Sequence, residues 1–306
     1  MLMQRLSIPT PLLLAWCAWI CFLIPSAAAT EPKDTAPVGL FPVTVKGKWG
    51  YIDRQGTVRI TPQFEDARGF SQGLAPIQSN SLWGYINPDG EMVIEPQFDD
   101  ADKFTEGLAL VRICERHGFI DQQGRFIINP NYSEAYPFAE GLAAVKLRQE
   151  WLFIDQKTAP NRKLQFDTIA GFSEGLAPVR ENRLWGYINA DGDWIIKPRF
   201  RYAGGFHEGF ALVREKRNFG FINNRGRFVI KDSFPVASEK VSRFSQGLAA
   251  MRSENKWGYI NSEGDFVIKP VFDWAEPFDK GLAMVQVEGK IGYIDVTGKW
   301  IWAPRR

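Results

Sequence analysis

One motif recurs at a fixed interval through most of this chain. Trp49-Gly50-Tyr51-Ile52-Asp53 returns as Trp83-Gly84-Tyr85-Ile86-Asn87, as His117-Gly118-Phe119-Ile120-Asp121 and as Trp151-Leu152-Phe153-Ile154-Asp155, each 34 residues after the last. Trp185-Gly186-Tyr187, Phe219-Gly220-Phe221, Trp257-Gly258-Tyr259 and Ile291-Gly292-Tyr293 bring the series to eight, with one irregular step of 38 before Trp257. A second motif keeps the same beat. Phe70-Ser71-Gln72-Gly73-Leu74-Ala75 recurs at Phe104, Phe138, Phe172, Phe206, Phe244 and Phe278, and Gly39-Leu40 is its remnant in the first unit. A unit this short cannot bury its own apolar face, so the units must stack into one body with a continuous core.

Within one unit the residue types are those of strands and turns. Gly73 to Gln78, Trp83 to Asn87 and Glu91 to Glu95 read as three short strands. The link before the third is Asp-x-x-Gly or Asn-x-x-Gly, from Asp53 to Gly56 and so on to Asp295 to Gly298. An Asx side chain there can accept from the backbone two residues on, and glycine at the fourth position tolerates positive φ. A proline after the third strand (Pro62, Pro96, Pro130, Pro198, Pro270, Pro304) reads as its exit, because proline cannot donate to a ladder. The connection that follows, such as Phe98 to Gly107, reads as an irregular loop with one helical turn.

These linked motifs resemble the tryptophan-glycine (WG) repeat family of bacterial proteins, from about Gly39 to Pro304. The resemblance implies β-rich interaction modules without a general catalytic signature. The expected fold is all-β: three-stranded antiparallel meanders stacked as a curved, open solenoid, since no strand is split between the two ends to close a ring. The alternative is a closed eight-bladed propeller, whose usual four-stranded blade of roughly 40 residues is longer than this period. The units fall at 39–72, 73–106, 107–140, 141–174, 175–208, 209–246, 247–280 and 281–306, forming a single domain over 39–306.

Ahead of the repeats, Arg5 is followed by an uncharged apolar run from Pro11 to Ile24, then Pro25 and the small residues Ser26 to Ala29. This is the pattern of a secretory signal cleaved after Ala29, which leaves residues 30–38 as a linker. The run is shorter than the roughly 20 residues of a membrane span. The mature chain is therefore expected in the periplasm or outside the cell. It keeps one cysteine, Cys114, which forbids an internal disulfide. Its charge is nearly balanced, with 37 Lys and Arg, less Arg5, against 35 Asp and Glu, so no basic face invites nucleic acid.

Comparison between units separates packing from chemistry. The Trp49 row includes His117, Phe219 and Ile291, which preserve a core better than they preserve a sugar-stacking platform. Glu106, Glu140, Glu174 and Glu208 share their place with Gln72, Gln246 and Lys280, which suits a loop cap better than a required carboxylate. Asp53, Asp121, Asp155 and Asp295 alternate with asparagine, which cannot act as a general base. The two histidines, His117 and His207, sit at unrelated repeat positions, and no His/Cys spacing suits a metal. No catalytic, metal or cofactor residue is assigned.

The fourth unit departs most, with Leu152 for glycine, Thr158 for the turn glycine and Leu164 for proline, and a longer irregular loop is expected from Asp155 to Leu164. The segment before the Trp row is polar and variable, so it is expected to form exposed hairpin tips along one edge. Arg116, Arg148, Arg183, Lys216, Lys256 and Lys290 are the candidate contacts there. The expected function is a non-catalytic scaffold binding a protein or cell-envelope partner. The alternatives are glycan or cell-wall binding, or a polysaccharide or peptidoglycan hydrolase built on carboxylates from different units.

Overall fold

The computed structural model describes residues 39–157, 160–164, 166–234 and 243–304. The expected signal and linker, Thr158 and the extra residues after Phe234 lie outside them. The repeats form eight antiparallel sheets, one of three strands and seven of four. The second sheet shows the plan: Asp66–Ala67, Ala75–Ser79, Leu82–Ile86 and Met92–Phe98 pair in chain order. The first sheet (Phe41–Val45, Lys48–Ile52, Val58–Phe64) lacks the short leading strand among the described residues, and the eighth runs from Trp274 to Trp302.

The sheets are blades of a closed ring, a β-propeller, and the open solenoid of three-stranded units is incorrect. Residues of the first, second, third, seventh and eighth sheets meet around one cavity, so the short leading strand of each blade is the innermost. Four strands fit in 34 residues because that strand is short, two residues in most blades, and the segment leading from it to the next strand folds back through a two-residue turn. Ser71 and Leu74 exchange both backbone bonds, at 2.9 and 3.1 Å, with Gln72 and Gly73 between them at φ 49° and 85°. Both angles are positive, the pattern of a type I′ turn, which matches strand twist and explains the invariant glycine within the repeat. The expected irregular loop with a helical turn is therefore a strand and a hairpin.

Closure needs no split strand because side chains complete it. Phe41, Val43 and Ile52 of the first blade share a core with Leu282, Tyr293 and Trp302 of the eighth. At the other joints the third-strand aromatic meets the phenylalanine of the next blade's inner segment, as in Tyr51–Phe70 (4.9 Å), Tyr85–Phe104 (5.0 Å) and Tyr259–Phe278 (4.7 Å). Tyr293 instead meets Phe41 at 5.6 Å, and Phe41 occupies the place held by Ala75, Ala109 and Ala143 in later units. The tyrosine hydroxyls follow suit. Tyr51, Tyr85, Tyr187 and Tyr259 donate to carbonyls 17 residues on, whereas Tyr293 donates to Pro42 O across the seam at 2.7 Å.

The Trp-Gly glycine answers to packing between the third and outer strands. A Cβ on Gly84 would sit 2.5 Å from Ile94 O and 2.7 Å from Pro96 N. The crowding comes from a bulge: Trp83 pairs with Phe98 and Tyr85 with Ile94, leaving the extra outer-strand residues around Pro96. The proline thus lies within the outer strand instead of closing it, tolerated because an edge strand has amides to spare. In the fourth blade both features vanish together. Trp151, Leu152 and Phe153 pair in step with Leu164, Lys163 and Arg162, so Leu152 faces no bulge, and Pro160–Leu164 is strand where an irregular loop was expected.

The cores lie between blades. Leu74, Trp83, Tyr85, Ile94 and Phe98 of one blade pack with Ala101, Phe104, Ala109, Val111 and Ile120 of the next. In the Trp row, Trp83, Trp151, Phe219 and Trp257 are buried, and Trp49, His117, Trp185 and Ile291 are half-buried. The second aromatic row stitches outer strands edge-to-face, as in Phe98–Phe126 and Phe272–Trp300.

Candidate functional site

The polar residues that repeat are committed to the fold. Asp53 Oδ1 accepts from Gln55 N and Thr57 N, both at 2.9 Å, and Asn87, Asp121, Asn223, Asn261 and Asp295 repeat this pair of bonds. Burial opposes ionisation of Asp53, but the Thr57 amide and the Arg59 guanidinium outweigh it and hold the carboxyl below its ordinary range. The glutamate row clamps neighbouring blades. Glu106 accepts from Gly141 N, Glu140 from Gly175 N, Glu174 from Gly209 N and Glu208 from Gly247 N, and Gln72 and Gln246 do the same for Gly107 and Gly281. An amide oxygen serves this contact as well as a carboxylate, which is why the two alternate.

The variable residues lie at the opposite end of each blade. Asn80–Ser81, Cys114–Glu115 and Asn182–Arg183 carry positive φ at both positions, the tips of two-residue hairpins between the second and third strands. Linker carboxylates hold several of them: Asp99 accepts from Cys114 N at 2.7 Å and Asp273 from Glu288 N at 2.6 Å. Arg148 and Arg183 sit on such tips, Lys216 in the bend before Phe219, and Arg116, Lys256 and Lys290 open third strands. Lys256 is paired with Asp273. Arg116 and Arg148, from adjacent blades, are exposed and line one groove of about 530 Å³ with Pro130, Asn131, Tyr132 and Leu147. The remaining candidates stand one to a blade.

Cations opposite the Trp row are a feature that sequence reasoning missed. Each is the cross-strand neighbour of the row residue, as Lys146 is of Trp151, Arg180 of Trp185 and Arg214 of Phe219, with charge-to-ring distances of 5.5, 5.8 and 5.1 Å. Thr44, Gln78 and Gln286 hold this place opposite Trp49, Trp83 and Ile291, so the pairing is confined to some of the blades.

The central cavity is the second missed feature. It has a volume of about 560 Å³ and is bounded by Trp49, Arg68, Lys103, Arg243, Asp279 and Lys280 among others. Arg68 is engaged there, stacked 4.4 Å over Trp83 and paired with Asp100 (2.7 Å) and Asp102 (3.0 Å). His207 lies nearby, and burial, then Arg243, hold its imidazole below the usual range. Among the described residues no cluster of His, Cys, Asp and Glu could hold a metal, and no helix is long and apolar enough to cross a membrane.

Solved structures with this fold include dihydro-heme d1 dehydrogenase NirN (TM-score 0.57, 13% identity, covering 86% of this chain and 72% of that one). A eukaryotic initiation factor matches at TM-score 0.51 and 12% identity, over 87% and 84%. The extracellular domain of the two-component system BT4673 from B. thetaiotaomicron matches at 0.52 and 12%, over 88% of this chain and 44% of that one. At such identities the likeness speaks for the fold alone. No curated protein matches. The model of the WG containing repeat matches residues 49–83, 83–113, 118–151, 163–185, 185–218, 234–257 and 257–290. With that model laid over most of the ring, and its two signature residues explained by the bulge and the core, the chain belongs to the WG-repeat family.

Proposed function

We propose that this chain is an exported, non-catalytic scaffold that captures an acidic protein or cell-envelope partner on its hairpin-tip face. The observation that carries this reading is the division of labour between the two ends of each blade. Asx side chains, glutamates and tyrosine hydroxyls that repeat are consumed by turns, blade clamps and carbonyls, whereas the tips vary in charge without touching the core. The Arg116–Arg148 groove adds a concave, cationic foothold with the exposed Leu147 beside it. A row of sugar-stacking tryptophans is not favoured, because Trp83, Trp151 and Trp257 are buried.

The test is capture from envelope extract by the mature protein. Two paired charge reversals, Arg116→Glu with Arg148→Glu and Arg183→Glu with Lys216→Glu, should each weaken capture while circular dichroism and melting stay unchanged. Capture that survives both pairs would overturn the assignment of the face. Turnover of peptidoglycan or simple polysaccharides would replace the scaffold with a hydrolase. Export is read from the N-terminus of secreted protein, expected by mass spectrometry at or near Thr30; an uncleaved segment would mean an anchor.

A further inference from the structure

We propose that the cavity at the centre of the ring, beside the seam, binds a small organic anion carrying a phosphate or carboxylate group, held by Lys103, Arg243 and Lys280. Three departures from the repeat converge on this one space. The channel-facing position before the conserved phenylalanine is Gly69, Pro137, Gly171, Gly205 or Pro277 in five units, so the fold asks there for a small residue. Lys103 and Arg243 are the exceptions, and both are exposed to the cavity. Lys280 is the third departure. It replaces the Gln or Glu that clamps the next blade, and a lysine cannot accept the glycine amide. Its Nζ reaches Phe70 O instead, at 3.4 Å.

The two ammonium groups approach the same short stretch of backbone, Gly69-Phe70. Lys103 Nζ lies 3.1 Å from the point a Cβ on Gly69 would occupy, next to the Phe70 carbonyl that receives Lys280. Among the described residues none of Lys103, Arg243 and Lys280 closes an ion pair, while Arg68 is already held by Asp100 and Asp102. Two carboxylates line the space, Asp279 and Glu276, and Glu276 is occupied by Trp274 Nε1 at 2.7 Å. Among the described lining residues Lys103, Arg243 and Lys280 outnumber Glu276 and Asp279, and none of the three cations is fixed in an ion pair. Although its side chain opens onto the cavity, the surrounding walls desolvate Lys103, and this, with repulsion from Arg243 and Lys280, lowers its proton affinity against the pull of Asp279 and Asp102. An anion would relieve this crowding through charge-assisted bonds. Trp49, Pro42 and Met284 supply an apolar wall for an organic body, and about 560 Å³ is the size of a small-molecule site.

The experiment is calorimetric titration of the mature protein with inorganic phosphate and, separately, with citrate, at constant ionic strength set by sodium chloride. At least one probe should bind saturably with a one-to-one stoichiometry, and which of them binds tells phosphate from carboxylate recognition. The Lys103→Gln, Arg243→Gln double variant should lose roughly tenfold or more in affinity. Without ligand it should melt at the same temperature as the parent or higher, since repulsion has been removed. Failure of both probes to saturate, affinity retained in the double variant, or a ligand-free variant that melts lower would each overturn the proposal, the last by showing that the cations serve the fold.

Discussion

Phe41 and Tyr293 stand 252 positions apart in the chain and touch only because the ring closes. Phe41 is 4% exposed and its ring meets Tyr293 edge-on at 5.6 Å, with Val43, Ile52 and Trp302 around it. Truncating a buried phenylalanine to alanine costs about 3–5 kcal/mol, enough to threaten folding, so the informative change is to leucine. A double-mutant cycle of Phe41→Leu and Tyr293→Leu, read by urea unfolding at unchanged m-value, should return a coupling of about 0.5–1.5 kcal/mol, the size of an aromatic pair beyond its burial. The matching cycle at Tyr51 and Phe70, whose rings are 4.9 Å apart within the ring, supplies the scale. Coupling at Tyr51–Phe70 with strict additivity at Phe41–Tyr293 would refute closure by these side chains.

Gly84→Ala should cost about 1–3 kcal/mol in thermal or urea unfolding, because its Cβ meets backbone atoms that cannot yield; a neutral result would remove the bulge argument. Burial raises the phenols of Tyr51, Tyr85, Tyr187, Tyr259 and Tyr293 far above their ordinary value near 10.0. Their folded pKa exceeds the unfolded one, so the stability they hold is complete below pH 10 and is lost as pH rises past it. Absorbance at 295 nm should therefore show these five ionising only as near-UV circular dichroism collapses, and smooth ionisation of all tyrosines in the folded state would contradict their burial. Cys114, exposed on a hairpin tip, should react with a thiol reagent in the native protein; reaction only after denaturation would mean the tip register is wrong.

The turns and tips were legible because their chemistry is local. An Asx residue followed three positions later by glycine means the same turn in any context, and the variable polar stretch before each Trp is indeed a hairpin tip. The innermost strand was not legible by propensity, since Asp66–Ala67 is two residues long and pairs through position more than composition. Its hairpin was nonetheless written in the chain, for Gln72-Gly73 and Glu106-Gly107 are Xaa-Gly pairs set between Phe-Ser or Phe-Thr on one side and Leu-Ala on the other. The outer-strand proline misled because the rule that it ends a strand does not hold at a bulged edge. Ring closure rested on one substitution, Phe41 in a row of alanines, whose meaning appears only when Tyr293 is brought beside it. The cationic cavity had the same obstacle. Lys103, Arg243 and Lys280 each depart from the repeat in sequence, but they fall in three separate units and acquire a common purpose only when the ring places them around one space.

The closed ring is tested most directly by distances between spin labels on equivalent turns. Gln55, Asp89 and Thr297 occupy the same exposed turn position in the first, second and eighth blades. Labels at 55 and 297, in a Cys114→Ser background, should give the same separation as labels at 55 and 89, since in a ring the eighth blade and the second both adjoin the first. A separation between 55 and 297 several times that of the 55 and 89 pair would mean an open array and would contradict the propeller.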